Sequence, residues 1–246
     1  MDLKKLLQPR KIAIVGAGEK ATMAGFVSKM CAEQCTSRAD DIYFVSPTHK
    51  SAYGKACYAS LPELPTDIDL VVLCTPKATI RDLLQQAHAR GAGAAVVFAS
   101  GYGETRKPED IRAEEELVTL ARSLDMAVMG PNCAGFLNFI ERIFAFGFLL
   151  QAKEDAGKIG LISQSGQICM AAMESAKTAF SYVISAGNCK AVHMEDYLDF
   201  LIEDAHTQVV AVYCEGVQNP YKLTTALKKA AEIGKPVVML KVGRSE

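Results

Sequence analysis

The stretch KIAIVGAGE (residues 11–19) gives the clearest indication of how this sequence folds. Four apolar residues lead into a turn of glycine and alanine, and a helix-forming segment follows. This order predicts a buried strand, a tight turn and a helix, and the missing Cβ atoms leave the N–H groups of the turn open to an anion. KIGLISQSG (158–166) repeats the pattern in the second half of the chain, with serines in the turn. The two stretches therefore predict two domains that each begin with a strand, an anion-binding turn and a helix.

Composition excludes several classes of protein. The 246-residue chain is half hydrophobic and has a formal net charge of −1, which is not typical of a nucleic-acid-binding surface. No apolar run reaches the ~18–20 residues of a membrane span, and the first residues lack the pattern of a secretory signal. The eight cysteines form no CxxC pair, so we predict no metal site. We expect a cytoplasmic protein that binds neither nucleic acid nor membranes.

The first half of the chain alternates short apolar runs with helix-forming segments near 22–34, 79–90 and 109–124. Continuous apolar strands joined by helices are typical of a parallel sheet that is covered on both faces, and right-handed crossovers then give a Rossmann-like domain. The predicted strands are KIAIVG (11–16), IYFVSP (42–47), LVVLCTP (70–76), AAVVFAS (94–100) and AVMGP (127–131).

A second series of strands begins at Lys158 and predicts another open parallel sheet, flavodoxin-like in pattern, with helices near 166–178, 194–204 and 220–233. The aromatic segment 136–156 is compatible with a hairpin or with packing between the domains. We place the Rossmann-like domain at 1–138 and the flavodoxin-like domain at 139–246, with the second sheet incomplete at its C-terminal end. The predicted strands are KIGLIS (158–163), SYVISAG (181–187), VVAVYCEG (209–216) and PVVMLKVG (236–243).

The carboxyl ends of the first strands have the residue types of a site for a phosphate-bearing ligand. Residues 16–21 fit G-x-G-x-x-A, in which the glycines let a pyrophosphate approach the backbone. The second strand ends in hydroxyls and a lysine instead of the acidic residue that holds a free ribose diol. This favours a phosphorylated ribose, as in NADP or coenzyme A. The candidate contacts are Gly16, Gly18, Ser46, Lys50, Thr75, Pro76, Ser100 and Tyr102.

Five motifs in order along the chain resemble those of one enzyme family: GPNCAG (130–135), SQSG (163–166), SAGN (185–188), YCEG (213–216) and KPVVMLKVGRS (235–245). Together they resemble the α-type portion of NDP-forming acyl-CoA synthetases, the relatives of succinyl-CoA synthetase, over essentially the whole chain. The resemblance implies that an acyl-CoA is formed from a carboxylic acid, CoA and a nucleoside triphosphate, through an acyl phosphate and a phosphohistidine. It also implies an oligomer with an ATP-grasp subunit or domain that binds ATP or ADP with Mg.

The resemblance further implies roles for individual residues. Asn132 and Cys133 correspond to the thiol end of the CoA site, and Glu215 to the catalytic glutamate that orients the phosphorylated histidine. SQSG lacks the spaced glycines of a nucleophile elbow, so its serines are not predicted to be nucleophiles. The residues expected to hold the phosphoryl group at the helix N-terminus are Ser163, Ser165 and Gly166.

None of the four histidines matches the phosphohistidine motif of the family. We therefore expect that histidine beyond Glu246, in a longer synthetase, and we expect the isolated chain to be inactive. Two alternatives remain open from the sequence. G-x-G-x-x-A and the Ser46–Lys50 loop are also compatible with an NADP-dependent oxidoreductase, and the missing histidine with a non-catalytic CoA-binding regulatory module.

Overall fold

The computed structural model describes residues 1–35, 40–150, 155–174 and 178–243. Its first sheet has seven strands in the order β3-β4-β2-β1-β5-β6-β7, and all neighbouring strands are parallel except the pair β3–β4. When β4 is counted as the third strand, this is the 3-2-1-4-5-6 order of a Rossmann fold. The strands are β1 (Ile12–Val15), β2 (Ile42–Val45), β3 (Ser51–Ala52), β4 (Lys55–Tyr58), β5 (Leu70–Leu73), β6 (Ala94–Val97) and β7 (Ala127–Met129).

The first helix, Leu3–Leu7, was not predicted, and the next three lie where the periodicity of the sequence predicts them. Thr22 caps the second helix, because its Oγ1 atom accepts a hydrogen bond from the Gly25 N–H group at 3.4 Å. The third helix buries Ile80, Leu84 and Ala87, the apolar face that the sequence indicates. The helices are α1 (Leu3–Leu7), α2 (Met23–Gln34), α3 (Ile80–His88) and α4 (Pro108–Ser123).

The hairpin β3–β4 corrects the prediction of five strands in the first half. Its turn has Tyr53 and Gly54 in the left-handed region, at φ values of 46° and 75°. Both strands are short and only partly buried, so they leave no apolar run in the sequence. The hairpin places the segment after Ser46 at the edge of the sheet.

The second sheet has six strands in the order β13-β12-β10-β11-β8-β9. Its four later strands are parallel, which confirms the flavodoxin-like pattern, and an antiparallel hairpin extends the sheet at one edge. The helix predicted at 166–178 is described over Gly166–Glu174, and residues 175–177 lie outside the described residues. The elements are β8 (Gly135–Asn138), β9 (Ile143–Phe146), β10 (Ile159–Ser163), α5 (Gly166–Glu174), β11 (Phe180–Ser185), α6 (Met194–Glu203), β12 (Val209–Cys214), α7 (Pro220–Glu232) and β13 (Val237–Lys241).

The aromatic segment between the two series of strands both forms a hairpin and packs between the domains. Strands β8 and β9 pair with each other, and α2 of the first domain packs against β9. The Phe144 N–H group donates to Cys35 Sγ at 3.3 Å, and Cys31 Sγ donates to the Phe144 carbonyl at 3.5 Å. Buried side chains of both sheets form one continuous core, which fixes the loops of one domain against those of the other. The boundary after residue 138 remains a prediction.

Candidate functional site

The glycine turn after β1 is shaped by backbone contacts that only glycine permits. Gly16 has φ +88°, and a Cβ atom placed on it would lie 2.7 Å from the Cys74 carbonyl oxygen. The N–H groups of Gly16 and Ala17 both donate to the Val45 carbonyl, at 2.9 and 3.1 Å. The turn therefore lies directly over the carboxyl ends of the central strands, where ligands bind in this fold class.

The Ser46–Lys50 loop lies beside this turn. The Ser46 hydroxyl and His49 Nδ1 are 3.0 Å apart, and a Cβ atom placed on Gly18 would lie 3.6 Å from His49 Cε1. The Tyr53 N–H group donates to Glu19 Oε1 at 2.6 Å, which ties the hairpin β3–β4 to the glycine turn. Lys50 is exposed at the same edge. The structure thus brings together the glycine turn and the hydroxyl-rich loop that the sequence singles out.

The loops after β5 and β6 form the next part of the edge. Thr75 Oγ1 accepts a hydrogen bond from Thr79, Pro76 is exposed, and Ser100 is exposed beyond β6. Tyr102 is only 3% exposed, and burial raises the pKa of its hydroxyl to about 12. In this structure its ring supports the loop from beneath, so its side chain does not face the edge as openly as Ser100 does.

Lys77 is a residue of this edge that the sequence interpretation missed. Its ammonium group donates to Asp110 Oδ1 at 2.6 Å and to the Gly101 carbonyl, and it lies 4.7 Å from the centre of the Tyr102 ring. These contacts join the loop after β5, the loop after β6 and α4. A lone lysine after Thr75-Pro76 gives no signal in the sequence, because its partners are distant in the chain.

The GPNC segment lies where the two domains meet. Asn132 has φ +57°, and its N–H group donates to the Ala99 carbonyl at 3.0 Å. The SAGN loop of the second domain packs directly on it, since the Asn188 N–H group donates to the Pro131 carbonyl at 3.1 Å. A Cβ atom placed on Gly187 would lie 2.5 Å from the same carbonyl oxygen. This close approach of two backbones requires glycine at 187.

Cys133 is buried beneath this segment, with its Sγ atom 3.5 Å from the Val97 carbonyl oxygen. Burial raises the pKa of its thiol to about 12. A thiol that remains protonated at neutral pH is a poor nucleophile. The structure therefore supports a packing role for Cys133 and not a covalent one.

Thiol alkylation tests this view of Cys133. At pH 8 we expect iodoacetamide to modify the partly exposed Cys57 first and Cys133 only when the protein unfolds. Peptide mass spectrometry after timed labelling gives the order directly. Fast modification of Cys133 in the folded chain would show an accessible thiolate and would contradict the packing role.

The SQSG turn joins β10 to α5 and faces the GPNC segment. The Ser163 hydroxyl is buried, accepts from the Ser165 N–H group at 3.0 Å and donates to the Ser165 carbonyl at 2.7 Å. A Cβ atom placed on Gly166 would lie 3.4 Å from Ala134 Cβ, and the Ala134 N–H group donates to Ser185 Oγ at 3.0 Å. The N-terminus of α5 therefore lies against the segment that follows Cys133.

Glu215 is exposed beside this turn, at the end of β12, and its backbone is held by a residue that the sequence interpretation did not single out. Gln164 Oε1 accepts from the N–H groups of Glu215 and Gly216, at 2.6 and 2.8 Å. Gln164 Nε2 donates to the Gly216 carbonyl at 3.0 Å. Gln164 lies within SQSG, but its partners are about fifty residues away in the chain.

A second missed residue, Asn188, links the domains through two carboxylates. Its Nδ2 atom donates to Glu104 Oε2 and to Glu114 Oε1, both at 2.7 Å, and its Oδ1 atom accepts from Asn132 Nδ2 at 3.2 Å. Burial alone would raise the pKa of Glu104, but hydrogen bonds from Asn188 and from the N–H groups of Gly101 and Tyr102 outweigh it, and the pKa is lowered. The carboxylate form of Glu104 therefore stabilises this contact between the domains.

Substitution of Asn188 tests the contact. We expect N188A to lower the free energy of unfolding at pH 7 by about 1–3 kcal/mol, because it removes donors to two carboxylates. We expect N188D to be more destabilising, because it adds a third negative charge beside Glu104 and Glu114. Chemical denaturation from pH 7 down to pH 3 measures both effects.

The pH dependence has a defined sign. The folded-state pKa of Glu104 is depressed. Its contribution to the free energy of unfolding is therefore fully present above its unfolded-state pKa of about 4.3 and is lost as the pH falls through its lower folded-state pKa. In N188A the free energy of unfolding should fall less on acidification than in the unmodified chain. The difference in this free energy between N188D and N188A should become smaller over the same pH range. Equal stability of N188D and the unmodified chain at pH 7 would contradict the contact.

The described ranges contain neither a candidate metal site nor a helix that could span a membrane. No group of three or more histidine, cysteine, aspartate or glutamate side chains there could hold a metal ion. None of the described helices has both the length and the apolar character that crossing a bilayer requires.

Comparison with known proteins identifies both halves of the chain. A model described as a CoA binding domain matches residues 10–138, and a model described as a succinyl-CoA ligase like flavodoxin domain matches residues 156–246. A trans-feruloyl-CoA synthase from an unknown prokaryotic organism is 31% identical over 252 residues, which cover 99% of this chain and 35% of that protein. The α subunit of an ADP-forming acetate–CoA ligase II from Pyrococcus furiosus is 30% identical over 248 residues, which cover 99% of this chain and 52% of that subunit.

Solved structures agree with these matches. A Pyrococcus horikoshii OT3 protein superposes with a TM-score of 0.89 at 29% identity, over 98% of this chain and 55% of its own. A dinucleotide-forming acetyl-coenzyme A synthetase 1 of Ca. Korarchaeum cryptofilum, solved with phosphate and ADP, gives a TM-score of 0.87 at 28% identity. The match covers 99% of this chain and 52% of that chain. The chain thus spans about a third to a half of the length of its relatives. Its two domains and their loops are those of one enzyme family, and the chain belongs to the NDP-forming acyl-CoA synthetases.

Proposed function

We propose that this chain is the CoA-binding and phosphate-relay portion of an NDP-forming acyl-CoA synthetase. One observation carries the proposal: the GPNC segment of the first domain lies against the N-terminus of α5 in the second, through the Ala134–Gly166 approach and the Ala134–Ser185 hydrogen bond. Thioester formation from an acyl phosphate needs the CoA thiol beside the phosphoryl group. Two loops from two domains that meet at one point supply that geometry.

The first domain would bind CoA along the carboxyl edge of its sheet. The turn at Gly16 and Gly18 lacks Cβ atoms and would let the pyrophosphate approach the backbone, while the N–H groups of Gly16, Ala17 and Gly18 are themselves bonded to the Val45 carbonyl and to Ser28 Oγ. The neighbouring Ser46–Lys50 loop suits the 3′-phosphate, since it offers hydroxyls and a cation. Asn132 and Cys133 would flank the thiol end. The other expected contacts along the edge are Thr75, Pro76, Ser100 and Tyr102.

The second domain would hold the phosphoryl group. The helix α5 directs its free N–H groups and the positive end of its dipole toward Gly166, and both favour an anion there. Ser165 would add a hydroxyl, while Ser163 holds the shape of the turn. The Glu215 carboxylate would accept an N–H from the imidazole of a phosphohistidine in the complete enzyme, which would fix the orientation of the ring. A carboxylate oxygen of the acid would bond to the phosphorus as the bond from the histidine nitrogen to phosphorus breaks, which gives the acyl phosphate. The CoA sulfur, having lost its proton, would then bond to the acyl carbon, the bond from that carbon to the phosphate oxygen would break, and inorganic phosphate would leave with the proton.

The remaining parts of the proposal concern the whole enzyme. An ATP-grasp subunit or domain would bind ATP or ADP with Mg, the acyl substrate would be a carboxylic acid, and the assembly would be an oligomer in the cytoplasm. A relative described as an α subunit and another solved with ADP and phosphate support a partner and a nucleotide. The domain matches do not favour the NADP-dependent oxidoreductase.

The test uses the complete enzyme, in which this chain is joined by the histidine loop and the ATP-grasp portion. Incubation with γ-labelled ATP should give an acid-labile, base-stable phosphoprotein, and added CoA with a panel of carboxylic acids should convert it into acyl-CoA and phosphate. A complete enzyme that forms neither product with any acid would overturn the proposal. Formation of the phosphoprotein without any acyl-CoA would overturn the ligase role of the first domain.

A further inference from the structure

We infer that Gln164 is a positioning residue that fixes Glu215 to the anion-binding turn. This inference rests on the proposed phosphoryl transfer, because it assigns to Glu215 the role described above. The contact itself is a feature of the structure that can be measured without catalysis. It joins two loops that would otherwise be independent, the SQSG turn after β10 and the Glu215–Gly216 turn after β12.

Gln164 is bound to the second turn through both its backbone and its side chain. Its N–H group donates to the Tyr213 carbonyl at 3.2 Å, which continues the pairing of β10 with β12 beyond the last strand residues. Its amide oxygen accepts from two successive N–H groups, and its amide nitrogen donates to the Gly216 carbonyl. A carboxylate could accept both N–H groups but could not donate, and an ammonium group could donate but not accept. Only an amide of this length makes all three bonds.

The far end of the Glu215 loop is fixed independently. Glu195 is 1% exposed, and its Oε1 atom accepts from the N–H groups of Gln218 and Asn219, both at 2.9 Å. The loop is therefore held at 215–216 by Gln164 and at 218–219 by Glu195. At the first anchor the backbone of Glu215 is fixed while its side chain is exposed, so the starting point of the carboxylate side chain is defined.

Two side chains of the SQSG turn hold different parts of the structure in place. The Ser163 hydroxyl binds both backbone groups of Ser165 and thereby sets the entry to α5, where the anion would lie. Gln164, between the two serines, points to the other strand and holds Glu215. One three-residue segment thus sets the distance between the N-terminus of α5 and the backbone of Glu215. A displacement of this segment would move both together.

Amide hydrogen exchange tests the contact in this chain. We expect Q164M, which keeps the length of the side chain but loses its three hydrogen bonds, to raise exchange at the amides of Glu215 and Gly216 by about tenfold. Q167M is the matched control, because Gln167 is an exposed glutamine in the first turn of α5. It should leave both amides unchanged. Unchanged exchange at 215 and 216 in Q164M, with the fold retained, would overturn the inference.

A double-mutant cycle in the complete enzyme tests the role. We expect Q164M to lower the rate of phosphoryl transfer about tenfold with an unchanged KM for CoA, and we expect Q164M/E215Q to be no slower than E215Q alone within about twofold. If the effect of Q164M were merely structural, the fold-reductions in rate of Q164M and E215Q would multiply in the double variant, and that result would overturn the positioning role. If the unmodified enzyme forms no phosphohistidine, the proposed function fails at that step, whereas the exchange experiment still decides whether Gln164 fixes the turn.

Discussion

Replacing Glu215 by glutamine in the complete enzyme is expected to slow acyl-CoA formation by about 10²–10³-fold. The change keeps the size of the side chain and its backbone contacts to Gln164, but it removes the negative charge that would orient and stabilise an imidazole during phosphoryl transfer. The affinity for CoA should stay within about twofold, because Glu215 lies in the second domain, away from the glycine turn. Single-turnover transfer of labelled phosphate and calorimetric titration of CoA measure the two quantities separately.

E232Q is the matched control for this substitution. Glu232 is an exposed glutamate at the end of α7, so its replacement removes the same charge from the same domain without touching the SQSG turn. Its rate should equal that of the unmodified enzyme. A rate for E215Q equal to that of E232Q would contradict the assignment of Glu215.

The second large effect is expected from Gly16→Ala. The new Cβ atom would lie 2.7 Å from the Cys74 carbonyl oxygen in a backbone with φ +88°, so the turn must move. We expect a loss of about 2–4 kcal/mol in the free energy of unfolding, from left-handed strain and from the steric clash together. The affinity for CoA should fall by about 10²-fold or more, because a displaced turn would occupy the space in which the pyrophosphate approaches the backbone.

Gly234→Ala separates strain from clash. Gly234 has φ +70°, no atom lies within 4 Å of an added Cβ, and the residue follows α7 in the other domain. We expect G234A to lower the free energy of unfolding by about 1 kcal/mol and to bind CoA with the affinity of the unmodified chain. Equal CoA affinity in G16A and G234A, measured by calorimetry under conditions in which both are folded by circular dichroism, would contradict a ligand site at the glycine turn.

The fold could be predicted from the sequence where strands are buried on both faces. β1, β5 and β6 are runs of four buried apolar residues, and each stands out from the helices around it. The hairpin β3–β4 could not be predicted, because it is short, partly exposed and stabilised by contacts such as Tyr53 N–H to Glu19. The turn at Tyr53–Gly54 depends on backbone conformations that the residue types only permit.

The candidate site divides in the same way. Glycines and hydroxyls at strand ends could be identified because parallel strands bring their carboxyl ends to one edge. Gln164 could not be assigned a role, because its partner Glu215 lies 51 residues away, at the end of the neighbouring strand of its own sheet. Asn188 could not be assigned one, because its partners lie 74 and 84 residues away and depend on how the two domains pack. Ser163 was expected to hold a phosphoryl group, and in the structure its hydroxyl is bonded within the turn. Its contact with a phosphoryl group remains a prediction.

The most direct measurement is calorimetric titration of this chain with CoA, with dephospho-CoA and NADPH as comparison ligands. We expect CoA to bind, dephospho-CoA to bind about tenfold or more weakly because the Ser46–Lys50 loop loses a charged partner, and NADPH to bind weakly or not at all. Binding of NADPH without binding of CoA would contradict a CoA site at the carboxyl edge of the first sheet.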